Sequence, residues 1–377
     1  MKRICFVTTI SATIKAFLIP FAEYLYQEGN YDITFICDKD DKLKNILPPY
    51  MKYMPVNIKR GMSLSGIQSI FELRKIFKKE QFDIIQYSTP NAAFYASIAA
   101  RMAKVKNRVY CQWGIRYMGF EGIARSIFKW IEKITCNNSS YIESESFNLY
   151  SFSLLEKLYT EEKACVVWNG SACGVDLNKF DISQKQKWRN EMRNELHIEE
   201  DEIAFGYAGR ITRDKGINEL LGAFKKVSEK HKAKLLLIGS IDGQGNLDED
   251  LMKWAKENDN VIWVEWTAET EKYYAALDVF VSPSYREGFG LVVIEAEAMG
   301  VPAIVSNVPG QSDAIEQGKT GLAVKVKSVK ALEVAMKQLI VHSKMREDYG
   351  NDARKFVEEN YEQQKLFSHI MVKRNCL

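Results

Sequence analysis

Residues 285–310 read YREGFGLVVIEAEAMGVPAIVSNVPG, from Tyr285 to Gly310. Two carboxylates, Glu287 and Glu295, bracket seven residues, and a glycine-flanked turn, Gly288-Phe289-Gly290, lies between them. The apolar run Leu291–Met299 has the length of a short buried helix. Gly300-Val301-Pro302 ends it, because glycine accepts the left-handed cap and proline cannot continue the helix. Val279–Ser282 before and Ala303–Ser306 after are short apolar runs of the kind that form buried strands. The segment reads strand, tight turn, helix, strand, the repeating unit of a parallel sheet. A helix start approached through glycines offers backbone N–H groups to an anion. A carboxylate on each side of that anion suits the hydroxyls of a sugar and of a ribose, so the expected ligand is a nucleotide-diphosphate sugar.

The same alternation extends through both halves of the chain. In the first half the expected strands are Ile4–Thr8, Ile33–Cys37, Ile84–Tyr87, Val109–Gln112, Tyr141–Glu143 and Cys165–Trp168. The helices between them include Ile14–Gln27, Ile67–Lys79, Ala92–Ala103, Ile123–Thr135 and Ser146–Tyr159. Residues 169–180, NGSACGVDLNKF, are rich in turn formers and read as a joint. A second series of strands starts at Ile203–Ala208 and runs through Lys234–Ile238, Val261–Val264, Val279–Ser282 and Ala303–Ser306 to Leu322–Val324. The expected fold is α/β with two Rossmann-like domains and a cleft between them. The expected domains are 1–178 for the acceptor, 179–360 for the donor and 361–377 as a C-terminal helix crossing back to the first domain.

The chain has 377 residues, 46% hydrophobic and 27% charged, a composition expected of a soluble globular protein of two domains. No apolar stretch reaches the ~20 residues needed to span a bilayer. The start, MKRICFVTTISATIKAFLIPF, reads as a first strand and helix rather than a leader. Seven scattered cysteines without a CxxC pair imply reduced, structural thiols and a cytoplasmic setting. Residues 1–180 carry 24 Lys and Arg against 17 Asp and Glu, and the remainder 28 against 32, so the two halves are expected to meet different partners.

A second motif, GRITRDKG from Gly209 to Gly216, follows the first strand of the second series. Arg210 and Lys215 stand five apart across a turn, where both can point into one pocket. A diphosphate without a metal needs about two fixed cations. Most surface Arg and Lys are merely solvated, but a strand-end position with a following glycine favours a site.

Taken together, Gly209-Arg210…Lys215-Gly216, Glu287 and Glu295 seven residues apart, Gly300-x-Pro302 and Val308-Pro309-Gly310 resemble the donor site of glycosyltransferase family 4. Asn169-Gly170-Ser171 and Gly174-Val175-Asp176-Leu177 resemble that family's interdomain segment. The resemblance is strongest over residues 165–325 and closest to the bacterial subgroup that builds capsule, O-antigen and lipid-linked glycans. It implies the GT-B fold and a retaining transfer of a hexose or N-acetylhexosamine from a nucleotide sugar, UDP-linked, to a saccharide acceptor carried on polyprenyl diphosphate. It implies that Arg210 and Lys215 bind the diphosphate and stabilise it as it leaves, that Glu295 accepts from the ribose, and that Glu287 holds the donor sugar. The residues Gly209, Gly288, Phe289, Gly290, Leu291 and Val292 would complete the donor site, and Trp266 would wall the base. No metal or other cofactor is implied, and no nucleic acid.

Many members of that family carry a histidine in the first domain near the reacting carbon. The four histidines here, His197, His231, His342 and His369, all lie beyond the segment expected to form it. Gln112 or Trp113 takes the corresponding position, and neither is a general base at neutral pH. The leaving phosphate can take the acceptor proton instead, with Gln112 or Arg116 positioning groups and Glu121 as a rival base. Ser11, Thr13, Lys15, Asn91, Gln112, Trp113, Arg116 and Glu121 are the expected acceptor contacts. Glu297, two past Glu295, reads as a solvated acid, and the DxD at Asp38-Lys39-Asp40 as solvated surface rather than a metal site. Two basic, aromatic helical stretches, Ser69–Phe82 and Ala124–Thr135, fit an anionic membrane surface, which places the protein in the cytoplasm or on the inner face of the membrane. The other readings are a nucleotide-sugar epimerase of the same fold and a non-catalytic sugar-nucleotide-binding subunit. The first-domain acid/base set of an epimerase is not evident, and the intact Arg210, Lys215, Glu287 and Glu295 disfavour the second.

Overall fold

A computed structural model describes residues 1–58, 65–242 and 247–377. The chain forms two compact units, Met1–Cys173 with Gln364–Leu377, and Gly174–Gln363.

Among the described residues, the first unit has a parallel sheet of seven strands: β1 (Lys2–Val7), β2 (Tyr31–Cys37), β3 (Met51–Pro55), β4 (Ile84–Tyr87), β5 (Asn107–Gln112), β6 (Tyr141–Ser144) and β7 (Ala164–Val166). Their spatial order is β3-β2-β1-β4-β5-β6-β7. The direction of winding reverses between β1 and β4, the switch point where ligands of such sheets bind. β3 was not expected: its sequence, MKYMP, alternates poorly and ends in proline, which an edge strand tolerates. The first helix is not the single one expected over Ile14–Gln27. A short turn of helix, Ser11–Thr13, leads into a π-helical segment, Ile14–Leu18, and the α-helix proper is Ile19–Gly29. Pro20 explains the break, since it has no N–H to donate and fits only in a helix's first turn.

The last helix, Gln363–Asn375, brings its residues from 364 onward into the first unit. Arg374 is fully buried there. Its guanidinium meets Glu143 of β6 through both nitrogens, one at 2.6 Å, and donates to Gln86 Oε1 of β4 at 2.8 Å. Phe367 packs on Phe21 at 5.2 Å between ring centres, and Tyr31 Oη donates to Asn375 Oδ1 at 2.7 Å. His369 stacks on Trp168 at 5.4 Å. The first unit therefore does contain a histidine, supplied by the returning helix and placed beyond the edge strand β7.

The second unit holds six parallel strands among the described residues: β8 (Ile203–Ala208), β9 (Ala233–Ile238), β10 (Val261–Val264), β11 (Val279–Ser282), β12 (Ala303–Ser306) and β13 (Gly321–Val324). The order β10-β9-β8-β11-β12-β13 puts its switch point between β8 and β11. The central strands are buried on both faces, as their continuous apolar sequences require. No described helix is long and apolar enough to cross a membrane.

Candidate active site

Both motifs singled out in the second half fall at this second switch point. The loop after β8 carries Arg210 and Lys215, the loop after β11 carries Glu287, and the loop after β12 carries Val308-Pro309-Gly310. Two glycines let the three loops close on one another. A Cβ on Gly216 (φ 75°) would lie 2.1 Å from the Pro283 carbonyl oxygen, and one on Gly310 (φ 86°) would lie 2.2 Å from that of Gly288. No side chain survives such an approach, so only glycine permits it. The Tyr285 N–H adds a direct tie, donating to the Asp214 carbonyl at 2.9 Å.

Within this frame Lys215 Nζ lies 2.6 Å from Glu287 Oε1, both side chains about one-fifth exposed. Arg210 Nη1 lies 3.1 Å from Asp242 Oδ2 in the loop after β9. Arg286, beside Glu287, pairs with Asp214 at 3.3 Å. Each of these three cations is thus paired with a carboxylate of a neighbouring loop. The helix Leu291–Ala298 starts at Gly290, itself left-handed, and turns its first N–H groups towards the same loops. Phe289 is buried against Tyr361, 5.1 Å between ring centres, which fixes the turn.

Glu295 follows one turn into that helix and keeps part of its surface accessible. The packed protein around it pushes its carboxyl up to about 7, while Lys179 and a hydrogen bond from Tyr274 pull it down and Glu271 pushes it up. The Tyr274 hydroxyl donates to Glu295 Oε2 at 3.3 Å. Glu297 is not the solvated acid expected. It is fully buried, and burial holds it well above the usual carboxylate range, against a smaller opposing pull from the Thr320 hydroxyl. The helix is buried on nearly every side, so the two-residue step from Glu295 turns Glu297 into the core rather than outward. Trp266, past the end of β10, is 77% exposed.

In the first unit the switch point is also knit together, with Thr89 Oγ1 of the β4 loop 3.0 Å from the Thr9 N–H of the β1 loop. Lys15 Nζ meets Asp40 Oδ2 at 3.0 Å, and hydrogen bonds from Ser11 and Lys15 hold Asp40 down at about 2. That aspartate, part of the DxD, also caps the helix Asp41–Ile46. Thr13 is half-buried in the short turn of helix. Arg116 lies 3.4 Å from Asn91 and stacks over Phe128 at 4.4 Å. Trp113 packs on Phe17 at 5.6 Å.

Gln112 is a correction. Its side chain is fully buried, donating to Glu132 Oε1 at 2.9 Å and accepting from Ser153 and Tyr159, each at 3.1 Å. With both ends of the amide used inside the core it has nothing left for an acceptor. Its alternation partners on β5 decide this: Cys111 faces the returning helix, so Gln112 faces Gly122–Asn138 and Phe147–Leu155. Glu121 stands exposed just before Gly122–Asn138. Asp242, Lys179, Tyr274 and Glu271 were missed by the sequence reading, because each joins the site across more than 20 residues and none sits in a motif. The described residues hold no cluster of His, Cys, Asp and Glu able to bind a metal ion.

Two parallel-sheet units, the second with paired charges gathered on the loops of its switch point, define a doubly wound α/β protein. The profile described as "Glycosyl transferases group 1" matches residues 189–356, and "Glycosyl transferase 4-like" matches 3–146. The chain is 31% identical over 347 residues to the capsular polysaccharide biosynthesis glycosyltransferase CapM of Staphylococcus aureus, covering 91% of this chain and 90% of CapM. It is 25% identical over 330 residues to the UDP-Gal:alpha-D-GlcNAc-diphosphoundecaprenol alpha-1,3-galactosyltransferase of Escherichia coli, covering 81% and 79%. Its fold matches the crystal structure of Anabaena HepE in complex with UDP at a TM-score of 0.80, with 17% identity and complete coverage of both chains. The chain belongs to the glycosyltransferases of group 1, with a fold of the GT-B class, and is a glycosyltransferase.

Proposed function

We propose that this glycosyltransferase moves a hexose or N-acetylhexosamine from a UDP-linked donor, with retention of configuration, to a saccharide carried on polyprenyl diphosphate, in the assembly of a bacterial surface polysaccharide. The observation that carries it is the placing of Arg210, Lys215 and Glu287 on loops of one switch point, with Glu295 one turn into the helix that starts there. The printed activities of the capsular and undecaprenol-linked relatives support the acceptor class. UDP bound to the structural neighbour supports the nucleotide.

The diphosphate takes Lys215 from Glu287 and Arg210 from Asp242. Glu287, released, accepts from hydroxyls of the donor sugar, and Glu295 accepts from the ribose. Trp266 walls the base. The sugar C1–O bond to phosphate breaks while C1 bonds to the acceptor oxygen on the same face. The acceptor proton passes to the departing phosphate oxygen, whose charge Arg210, Lys215 and the helix start stabilise as it develops. No metal is called for in this reading. Ser11, Thr13, Lys15, Asn91, Trp113, Arg116 and Glu121 are the proposed acceptor side, with Glu121 the rival base.

A membrane surface is the proposed setting. The solvent stripe of Gly122–Asn138 runs Ile123, Ile127, Trp130, Lys133, and that of Ser65–Glu80 runs Ile67, Phe71, Lys75, Lys78. In each, the apolar residues lead and lysine follows: Lys78 in the last turn of Ser65–Glu80, and Lys133 in the second half of Gly122–Asn138. Helices of a parallel sheet run back against their strands, so both apolar starts lie at the edge where the strands end and Asn91 and Arg116 sit. That polarity suits insertion of the apolar ends at the headgroup boundary with lysines on anionic lipid, each cation worth ~1 kcal/mol near the surface.

A panel of nucleotide sugars, read by nucleotide release with a polyprenyl-diphosphate-linked saccharide extract, tests the reading. Release from a UDP-sugar that depends on the extract supports it. No release from any donor, with or without acceptor, removes it in favour of a non-catalytic binding role.

A further inference from the structure

The segment that carries Glu287 is tied to the loop that carries Lys215 by a side chain the transfer reaction does not use. Tyr285 Oη lies 2.8 Å from both carboxylate oxygens of Glu219, to which it donates. Glu219 stands in the first turn of the helix Ile217–Ser228, just past Lys215, and Tyr285 stands just before Glu287. Lys327 Nζ lies 4.8 Å over the Tyr285 ring, so the loop after β13 holds the ring as well. A half-buried hydroxyl on a carboxylate makes a charge-assisted bond, stronger than a neutral one. Burial and the Glu219 carboxylate hold that hydroxyl up at about 12, so it remains a donor at neutral pH. The other ties are weaker or independent of the side chain. Arg286 and Asp214 pair at 3.3 Å with more than a third of each side chain exposed. The bond from the Tyr285 N–H to the Asp214 carbonyl belongs to the backbone.

We infer that Tyr285 is a positioning residue: its hydroxyl, clamped on Glu219, fixes the segment of Glu287 against the loop of Lys215 at the separation the transfer needs. The inference rests on the proposed roles of Glu287 and Lys215 in the donor site. Those two side chains stand 2.6 Å apart and must part when the diphosphate takes the lysine. Once they part, their own ion pair no longer holds the two loops together. The bond between Tyr285 and Glu219 involves neither of them and persists through the exchange. A misplacement of about 1 Å at a reacting group can cost ~10²-fold in rate. A lysine, a point charge on a flexible stem, follows a phosphate more easily. Loss of the clamp should therefore appear in turnover and not in nucleotide affinity. Tyr285→Phe removes one oxygen and keeps the ring under Lys327, so the packing stays.

The test uses the whole protein. It measures nucleotide release from UDP-hexoses and UDP-N-acetylhexosamines with the polyprenyl-diphosphate-linked saccharide extract, and UDP affinity by calorimetry. Y285F should lower kcat about tenfold and leave donor KM and UDP affinity within about twofold of wild type. E219A should do the same, and E219Q, whose amide oxygen still accepts, should recover most of the rate. Y285F with E219A should be no slower than either alone, because both remove one contact. On an E287A background Y285F should cost nothing further, whereas a general loosening of the loops would cost the same factor again. Losses that multiply in either double variant, or a Y285F loss of UDP affinity as large as its loss of rate, overturn the inference. E287A separates the clamp from the reading beneath it. If E287A turns over like wild type, or wild type releases nucleotide from no donor, the donor-site reading fails and the clamp with it. If E287A is slow and Y285F is not, the clamp alone fails.

Discussion

The two units share a sheet topology but spend their side chains differently. At the second switch point nearly every charged group is already paired with another within the loops: Lys215 with Glu287, Arg210 with Asp242, Arg286 with Asp214. At the first, a lysine–aspartate pair and an arginine stacked on phenylalanine stand among threonines and aromatics. The large exposed apolar residues concentrate on the first unit, with Ile123 at 82% and Trp130 at 63% among them. One unit gathers internal ion pairs on its loops, and we propose that they are exchanged for the donor diphosphate. The other presents a greasy, basic flank beside a mild polar site. A repeated scaffold therefore acquires two chemistries from its loops and outer helix faces, while its strands stay alike.

The sharpest way to break that contrast is to remove the donor loops' charges. E287A, and R210A with K215A, should each lower kcat by ~10²–10³-fold, as removal of preorganised transition-state stabilisation does. R210A with K215A should also weaken UDP binding, and E287A should leave it nearly intact; equal loss of binding in all of them would erase the division of labour. In the first unit the largest expected effect is on stability. R374M leaves Glu143 buried and unpaired and should cost about 3–5 kcal/mol in chemical denaturation, with much of it recovered by adding E143L. If R374M alone is neutral, the returning helix is not held by that pair.

Glu295 links the donor site to stability. Its folded-state carboxyl titrates near 7, above the ordinary value for an unfolded chain. The folded protein therefore holds that proton more tightly, and the stabilisation this gives below about pH 4.5 is lost as pH rises to 7. E295Q should raise stability at pH 8 by up to about 3 kcal/mol and leave it little changed at pH 4.5. A melting temperature of E295Q that tracks wild type at both pH values would contradict this. The smallest effect is expected at the first unit's flank. I127S with W130S should weaken sedimentation with anionic vesicles about tenfold without affecting UDP binding. Equal sedimentation with neutral vesicles, or none with either at low salt, would dispose of the membrane setting.

Much of this was legible in the chain because the signals were local. Twelve of the strands announced themselves as apolar runs, and both donor motifs stand at strand ends with glycines that packing demands. The edge strand Met51–Pro55 was hidden by its polar face, and the break at Ile14–Leu18 by an apolar periodicity that ignored Pro20. Long-range partners were hidden altogether. Nothing near Arg374 in sequence marks a fully buried arginine, since its carboxylate lies 231 residues away. Glu295 and Glu297 look alike on paper, yet one helix step separates a half-open site residue from a buried acid. Gln112 was taken for a site residue on its position alone, and its neighbours across the core decided otherwise.

The central claim is that nucleotide binds to the second unit alone, on the loops after β8 and β11. Amide hydrogen exchange with and without UDP tests it most directly, because protection reports which backbone segments a ligand orders. Protection should appear in residues 209–216 and 283–295 and nowhere in residues 1–173. Protection centred on the loops after β1 and β4, or none in 209–216, would contradict it.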